Sequence, residues 1–345
     1  LDGFFLEYRD PMFGLIILFS AIFIISFVNY WWGILKSKEE RHGIEQFIKK
    51  FEIVSDEDEY KKLLKDHSIP VESLALLAHA YTKSGDFEKA IGLYLIILER
   101  TKEKKKKEFI LSELGKTYFK AGFLRRSADI FIESLRLHPR NTESLRFLSV
   151  TYEKLKEYEK AIEVLDSLEE LGAKVVKQRS YLKSLSVIYN YSLTDTQKVT
   201  QLQELFKEHS FLQRKYFEYC KLIHKSIPLE EFDKFDLSSF IDLLWFEDGG
   251  YIDLKNSKNP LCKEIYSAKV GTQISSYQFF EFEVLSKLRQ AGYEKAGLNF
   301  EYLCGECKQT FPMYFYRCPH CHTIASAKIQ PLLTKESYEE NISFQ

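Results

Sequence analysis

"ILSELGKTYFKAGFLRRSADIFIESL", residues 110–135, decides how the rest of the chain is read. Apolar residues recur three and four apart on both sides of a break at Gly122, the period of two amphipathic helices joined by a tight turn. Two more stretches fall into the same register: "SLALLAHAYTKSGDFEKAIGLYLIIL" from Ser73 and "SLRFLSVTYEKLKEYEKAIEVLDSL" from Ser144. Each sets an apolar residue, a small residue and a tyrosine on its first helix: Leu77, Ala78, Tyr81; Leu114, Gly115, Tyr118; Leu148, Ser149, Tyr152. After a turn at Gly85, Gly122 or Lys156, each second helix carries a small residue (Ala90, Ser127, Ala161) and, four positions on, a large one (Tyr94, Phe131, Leu165). Three unrelated helix pairs have no reason to keep that register.

Tyr118 to Tyr152 is 34 residues and Tyr81 to Tyr118 is 37, the excess lying in "KEKKKKE". These positions and this period resemble the tetratricopeptide repeat. The resemblance implies helix-turn-helix units, each covered by the next, stacked into a superhelix with a concave face that holds partner proteins. It places Glu72, Ala75, His79 and Thr82, then Phe109, Ser112, Lys116 and Phe119, then Glu143, Arg146, Val150 and Glu153 toward that groove. Of these His79, Phe109, Lys116, Phe119, Arg146 and Glu153 are the candidate partner contacts. His79 reads as a solvated groove residue rather than a metal ligand. The lysines 104–107 read as a solvated loop between repeats, with anionic lipid as the alternative contact.

Working outward toward the N-terminus, residues 12–35 run 24 residues without a charge. At ~1.5 Å per residue that is about 36 Å of helix, enough to cross a hydrocarbon core of about 30 Å. A signal peptide would have a shorter apolar run and a basic lead. Here Asp2, Glu7 and Asp10 precede it against Arg9 alone, while Lys36, Lys38 and Arg41 follow. Positive charge stays inside. The expected arrangement is a single-pass anchor with residues 1–11 outside, in the periplasm, and the body in the cytoplasm. A reducing compartment also suits free thiols. Residues 36–70, with Ile44, Phe47, Ile48 and Phe51 on one face, read as a helical linker.

The repeats are assigned to 71–173. From 174 to 300 the helical period persists in patches, at Tyr181, Leu185 and Ile188 or at Phe279, Phe282 and Leu285, but the repeat signature is lost. This region reads as degenerate repeats, with "QAGYEKAGLNF" as the turn of a last worn one. The chain shows no phosphate-binding glycine loop, H-E-x-x-H or nucleophile elbow, so the expectation is a non-enzyme; the alternative is a membrane-bound enzyme with its site in 175–300. With 49 Lys and Arg against 50 Asp and Glu there is no basic field for nucleic acid.

Toward the C-terminus, "YLCGECKQTFPMYFYRCPHCHT" holds two C-x-x-C pairs, Cys304 with Cys307 and Cys318 with Cys321. Each pair can turn two sulfurs toward one point, and two pairs make a four-thiolate site. The expected module spans 301–333, with 334–345 as a tail. Zinc is the default ion and iron in a rubredoxin-like site the alternative. Ten residues separate the pairs, room for a short hairpin whose Phe311, Tyr314 and Phe315 offer packing surface. His320 and His322 read as bystanders, because four thiolates complete a closed, structural shell. Cys220 and Cys262 read as buried or free thiols.

An N-terminal membrane helix, cytoplasmic repeats and a terminal four-cysteine module with "YFYRCPHC" after "YLCGEC" resemble, in layout over nearly the whole chain, the lipopolysaccharide assembly protein B family of Gram-negative bacteria. The resemblance implies an all-α body ending in a rubredoxin-like or zinc-ribbon module that packs against the repeats. It also implies a non-enzymatic inner-membrane adaptor acting with a membrane-bound AAA+ protease on the deacetylase that commits precursor to lipid A. A scaffold for another envelope-assembly complex is the alternative. Three clear repeats, fewer than in the family, and His322 where glycine is common set this chain apart.

Overall fold

The computed structural model describes residues 18–28, 30–31, 70–247 and 252–335. They fall into two compact units, one ending at Ser144 and one beginning at Leu145. Residues 18–28, 30 and 31 are helical with exposed side chains, Phe19, Phe23 and Ile25 each more than 60% exposed. Among the described residues no helix is long and apolar enough to cross a membrane. The expected anchor at 12–35 lies partly, and the linker at 36–69 wholly, outside the described residues.

The first unit carries α1 (Val71–Ser84), α2 (Phe87–Arg100), α3 (Lys104–Lys120) and α4 (Leu124–Leu137). Its hairpin turns use Gly85 at φ 87° and Gly122 at φ 82°, left-handed backbone that a residue with a Cβ adopts at a cost. Ala78, Ala90, Tyr94 and Phe131 are buried as the register requires. Gly115 shows why that position is small. A Cβ there would sit 2.7 Å from the Phe131 ring, well inside contact distance. The Ser127 hydroxyl closes the same approach by donating to the Gly115 carbonyl at 2.9 Å.

The lysine run departs from expectation. It is the first turn of α3, not a loop. Lysine is a good helix former, but four cations at a helix N-terminus oppose the macrodipole. Neighbouring carboxylates offset this: Lys106 lies 2.9 Å from Glu72 of α1 and 3.8 Å from Glu103, and Lys107 4.0 Å from Glu133 of α4.

α5 (Thr142–Lys154) starts at the end of the first unit and runs into the second, where it pairs with α6 (Tyr158–Glu170). Here Lys156, at φ 61°, takes the turn position held elsewhere by glycine. The closing hydrogen bond is reversed relative to the preceding repeat: Ser149 of the first helix donates to the Ala161 carbonyl of the second at 3.1 Å. Small residues at both positions let either backbone approach, and whichever carries a hydroxyl donates.

Beyond α6 come α7 (Val176–Ile188), α8 (Asp195–Glu208), α9 (Gln213–Leu222), the short α10 (Leu229–Phe232) and α11 (Ile241–Trp245), then α12 (Pro260–Val270) and α13 (Phe280–Gln290). A cluster of aromatic rings, Phe206, Tyr216, Phe217, Phe232, Phe235 and Phe240, fills the space among them.

The chain is not helical throughout. β1 (Ala296–Cys304), β2 (Thr310–Phe311) and β3 (Ala327–Lys335) form an antiparallel sheet in the order β2-β1-β3. "AGLNFEYLC" is therefore a strand, not the turn of a worn repeat. Its Leu298, Phe300, Tyr302 and Cys304 alternate inward, a period of two that overrides the helical reading of the residues before it. The sheet begins five residues ahead of the module boundary expected from the cysteines. Pro331 in β3 sits opposite Phe300, on an edge strand where the missing N–H is tolerated.

Candidate metal centre

Cys304 ends β1, and the chain turns through Gly305 and Glu306 to Cys307; Cys318 and Cys321 make the second knuckle. The two knuckles repeat one hydrogen-bond pattern. Lys308 N–H donates to Cys304 O at 3.1 Å and Cys304 N–H to Gln309 O at 2.9 Å; His322 N–H donates to Cys318 O at 3.0 Å and Cys318 N–H to Thr323 O at 2.9 Å. In each, the residue after the second cysteine is left-handed, Lys308 at φ 61° and His322 at φ 60°. That conformation bends the loop so that both sulfurs face one centre.

All four sulfurs lie within 4.8 Å of one another. Cys304 Sγ is 3.7 Å from Cys321 Sγ, and Cys307 Sγ 3.7 Å from Cys318 Sγ. A disulfide would need about 2.05 Å. A tetrahedron of thiolates about 2.3 Å from a zinc ion has edges of about 3.8 Å, so the four residues fit a single metal ion. Burial pushes the Cys304 thiol up, but the Ser326 hydroxyl and the backbone N–H groups of Cys307 and Glu306 outweigh it and hold the thiol down at about 6. Burial dominates at Cys318 and pushes its thiol up to about 12. Cys220 and Cys262 are buried thiols away from this cluster.

The knuckles are fastened to the helices of the second unit by charged and aromatic groups. Arg214 of α9, 3% exposed, makes a two-pronged ion pair with Asp242 of α11 at 2.7 and 2.9 Å, and donates from Nε to Glu218 at 3.0 Å. Its guanidinium lies 3.5 Å over the Tyr314 ring. The Tyr302 hydroxyl of β1 donates to the same Asp242 carboxylate at 2.8 Å. Beside this, Lys215 stands 3.7 Å over the Tyr316 ring, Tyr316 donates to Glu218 at 2.6 Å, and Tyr181 of α7 stacks on Tyr316 at 5.7 Å. Arg317, next to Cys318, donates to Glu153 of α5 through Nε at 2.8 Å and through Nη2, while its Nη1 donates to the His322 carbonyl at 2.7 Å. The two side chains are 9% and 10% exposed. The His322 ring meets Phe147 of α5 edge-on at 5.6 Å.

Burial, acting first, raises Tyr314 to about 12 and Tyr316 well above the ordinary tyrosine range; Glu218 adds to both. Burial also dominates at Tyr302, with Asp242 adding to the rise. Arg214 itself is held more strongly protonated, because the Asp242 and Glu218 carboxylates outweigh the cost of its burial.

Sequence reading named the four cysteines but not Arg214, Glu218 or Asp242. The available signal was a charge inside an aromatic run, Arg214 in "FLQRKYFEYC", facing a cysteine module with more tyrosine than it can bury alone. In the 175–300 region Glu264 is also buried, which raises its carboxyl, and it accepts the Phe279 N–H at 3.3 Å just ahead of α13.

The candidate partner contacts separate into three groups. His79 and Phe109 line a groove of about 700 Å³ between α1 and α3, with Glu72, Ala75, Leu76 and Lys106 among their neighbours. Lys116 bridges Glu113 at 2.5 Å and Glu143 at 3.0 Å, and Arg146 is exposed. Phe119 is buried, as are Thr82, Ser112 and Val150, and Glu153 is taken by Arg317. The reason is a first helix buried on more than one side: Thr82 and Thr117 share a hydrogen bond at 3.0 Å beneath the surface.

Among known proteins, a stretch of 91 residues is 35% identical to the Protein CTR9 homolog of Arabidopsis thaliana, covering 26% of this chain and 8% of that protein's length. A mutant of MamA is 19% identical with a TM-score of 0.32, over 39% of this chain and 98% of that one. A thermophilic TPR protein in Thermus thermophilus is 16% identical with a TM-score of 0.29, over 52% and 98%. Models of the tetratricopeptide repeat match residues 73–108 and 112–174, the stretches whose small-residue register, glycine turns and helix pairs are described above. Residues 73–174 thus carry tetratricopeptide repeats, a scaffold suited to binding other proteins.

Proposed function

We propose that this chain is a membrane-tethered, non-enzymatic adaptor whose repeats hold a partner protein and whose four-cysteine module, loaded with one structural metal ion, stiffens the helices of the second unit. The observation that carries the reading is the double fastening of that module, through Tyr302 and Tyr314 to the Asp242–Arg214 pair and through Arg317 to Glu153. A closed four-thiolate shell has no open position for substrate, so the ion holds the knuckles in shape. Zinc is the default and iron the alternative. The exposed apolar helix at 18–28 and 30–31 supports a tether, since an apolar surface of that kind is otherwise a liability in water. With the charge bias around 12–35, the body belongs in the cytoplasm and residues 1–11 outside.

The layout resembles a family that regulates lipopolysaccharide synthesis, and the finer proposal follows it. The chain would sit in a bacterial inner membrane and bring a membrane-bound AAA+ protease to the deacetylase that commits precursor to lipid A. Depleting the protein in its own host and following the half-life of that deacetylase tests this. A longer half-life, restored by the full chain but not by one lacking residues 12–35, is expected; an unchanged half-life would overturn the lipid A role.

A further inference from the structure

We infer that the face of α5, α7 and α9 gripping Tyr316 and Arg317 is a recognition site for an aromatic-arginine segment, filled by the chain's own module while metal is bound and opened when the metal leaves. The inference rests on the metal reading above. The site is built as a receptor is built. Glu153 offers a carboxylate to a guanidinium, Glu218 a second carboxylate to a phenol, and Tyr181 a ring face to the same tyrosine. Lys215 caps the tyrosine ring from the other helix. These four residues lie on three helices, and the segment they hold reaches them from 98 to 164 residues further along the chain. The contact joins separate elements, as a ligand and its site do.

Metal occupancy controls the grip because the ligand is part of a knuckle. Arg317 precedes Cys318, and its third hydrogen bond goes to the carbonyl of His322, which follows Cys321. The loop from 318 to 322 has its shape from two backbone hydrogen bonds and from the thiolates turned to one centre. Without the ion, the two knuckles lose the centre that joins them, and each loop is left to its own hydrogen bonds. The knuckle then relaxes, the His322 carbonyl leaves Arg317, and Glu153 becomes available to a cation from outside. A partner with an arginine beside aromatic rings matches what the module withdraws.

The probe is a labelled peptide of residues 311–317, "FPMYFYR", which contains no cysteine. Its binding to the detergent-solubilised full chain is followed by fluorescence anisotropy, with metal content measured on the same samples. Binding to chelator-treated protein, and to the metal-loaded double variant Tyr316→Ala/Arg317→Ala, should be stronger than to the loaded wild type by about tenfold or more. In the Tyr316→Ala/Arg317→Ala background, Glu153→Gln should weaken binding of the arginine peptide and leave that of a peptide ending in alanine instead of arginine unchanged. Equal affinity for loaded and stripped wild type would overturn the inference, as would failure of the peptide to bind loaded Tyr316→Ala/Arg317→Ala with its circular dichroism unchanged. A purified wild type carrying no metal and no affinity for zinc would instead overturn the metal reading.

Discussion

The repeats of the first unit and the four-cysteine module of the second are both held by small, buried contacts, but they differ in what those contacts are made of. In the repeats a glycine or serine admits a ring, and a single hydroxyl closes the gap, as with Gly115, Phe131 and Ser127. Partners lie within a few dozen residues, and stability comes from apolar area. Where the module meets the helices, formal charges are buried or nearly so: Arg214 with Asp242 on the helices beneath it, and Arg317 of the module with Glu153. Breaking a pair of that kind strands a charge, whereas thinning an apolar contact only loses area. The first design degrades gradually and the second fails as a whole.

Metal removal should separate the two regions most sharply. Chelation or Cys318→Ser should remove hydrogen-exchange protection from residues 296–335, a loss on the order of 10 kcal/mol for a small metal-dependent module, while 71–137 keep theirs. Loss of protection in both would end the distinction. Arg214→Ala comes next. It leaves Asp242 buried with only Tyr302 and costs about 3–5 kcal/mol in denaturant unfolding, whereas Arg214→Lys keeps a charge but loses the two-pronged geometry and falls between.

Alkali offers a milder route. Tyr302, Tyr314 and Tyr316 have folded-state pKa values above the unfolded value of about 10, so their protonated forms favour the native state. Their contribution is fully present below about pH 10 and is lost as pH rises through the folded values. Ultraviolet difference absorbance should show these tyrosines ionising late and together with loss of module protection.

Gly115→Ala tests the other region. The added carbon must displace the Phe131 ring, at a cost of about 1–3 kcal/mol, read as a lower midpoint for the repeats with metal affinity unchanged. The smallest effect is a gain. Lys104→Glu replaces a cation in the first turn of α3 with a charge the macrodipole favours and should stabilise by about 0.3–1 kcal/mol.

Legibility in the sequence follows the same division. The register of Ala78, Gly115 and Ser149 against Ala90, Ser127 and Ala161 was readable because a helix pair is encoded within one short window. The cysteine knuckles were readable for the same reason. The lysine run misled because charge density suggests solvent, yet lysine is a competent helix former and carboxylates on adjacent helices were waiting for it. The strand at 296 was missed although "GLNFEYLC" alternates, because the helical period just before it was carried past its end. Arg214 and Asp242 could not have been paired by inspection; nothing local marks which of many charges will meet in the interior. For the candidate partner contacts, helical position alone placed His79 and Phe109 in a groove but could not foresee that Glu153 would face an arginine from the module.

The Glu153–Arg317 contact also orders events in time. Closing a loop of 164 residues costs only about 0.6 kcal/mol more than closing one half as long, so distance along the chain hardly weakens the finished bond. It does delay it. During synthesis Glu153 is made and its helix can form long before Arg317 exists, and the pair can close only once Arg317 has been made. A nascent chain therefore carries Glu153 on α5 without its arginine until the last knuckle has been made.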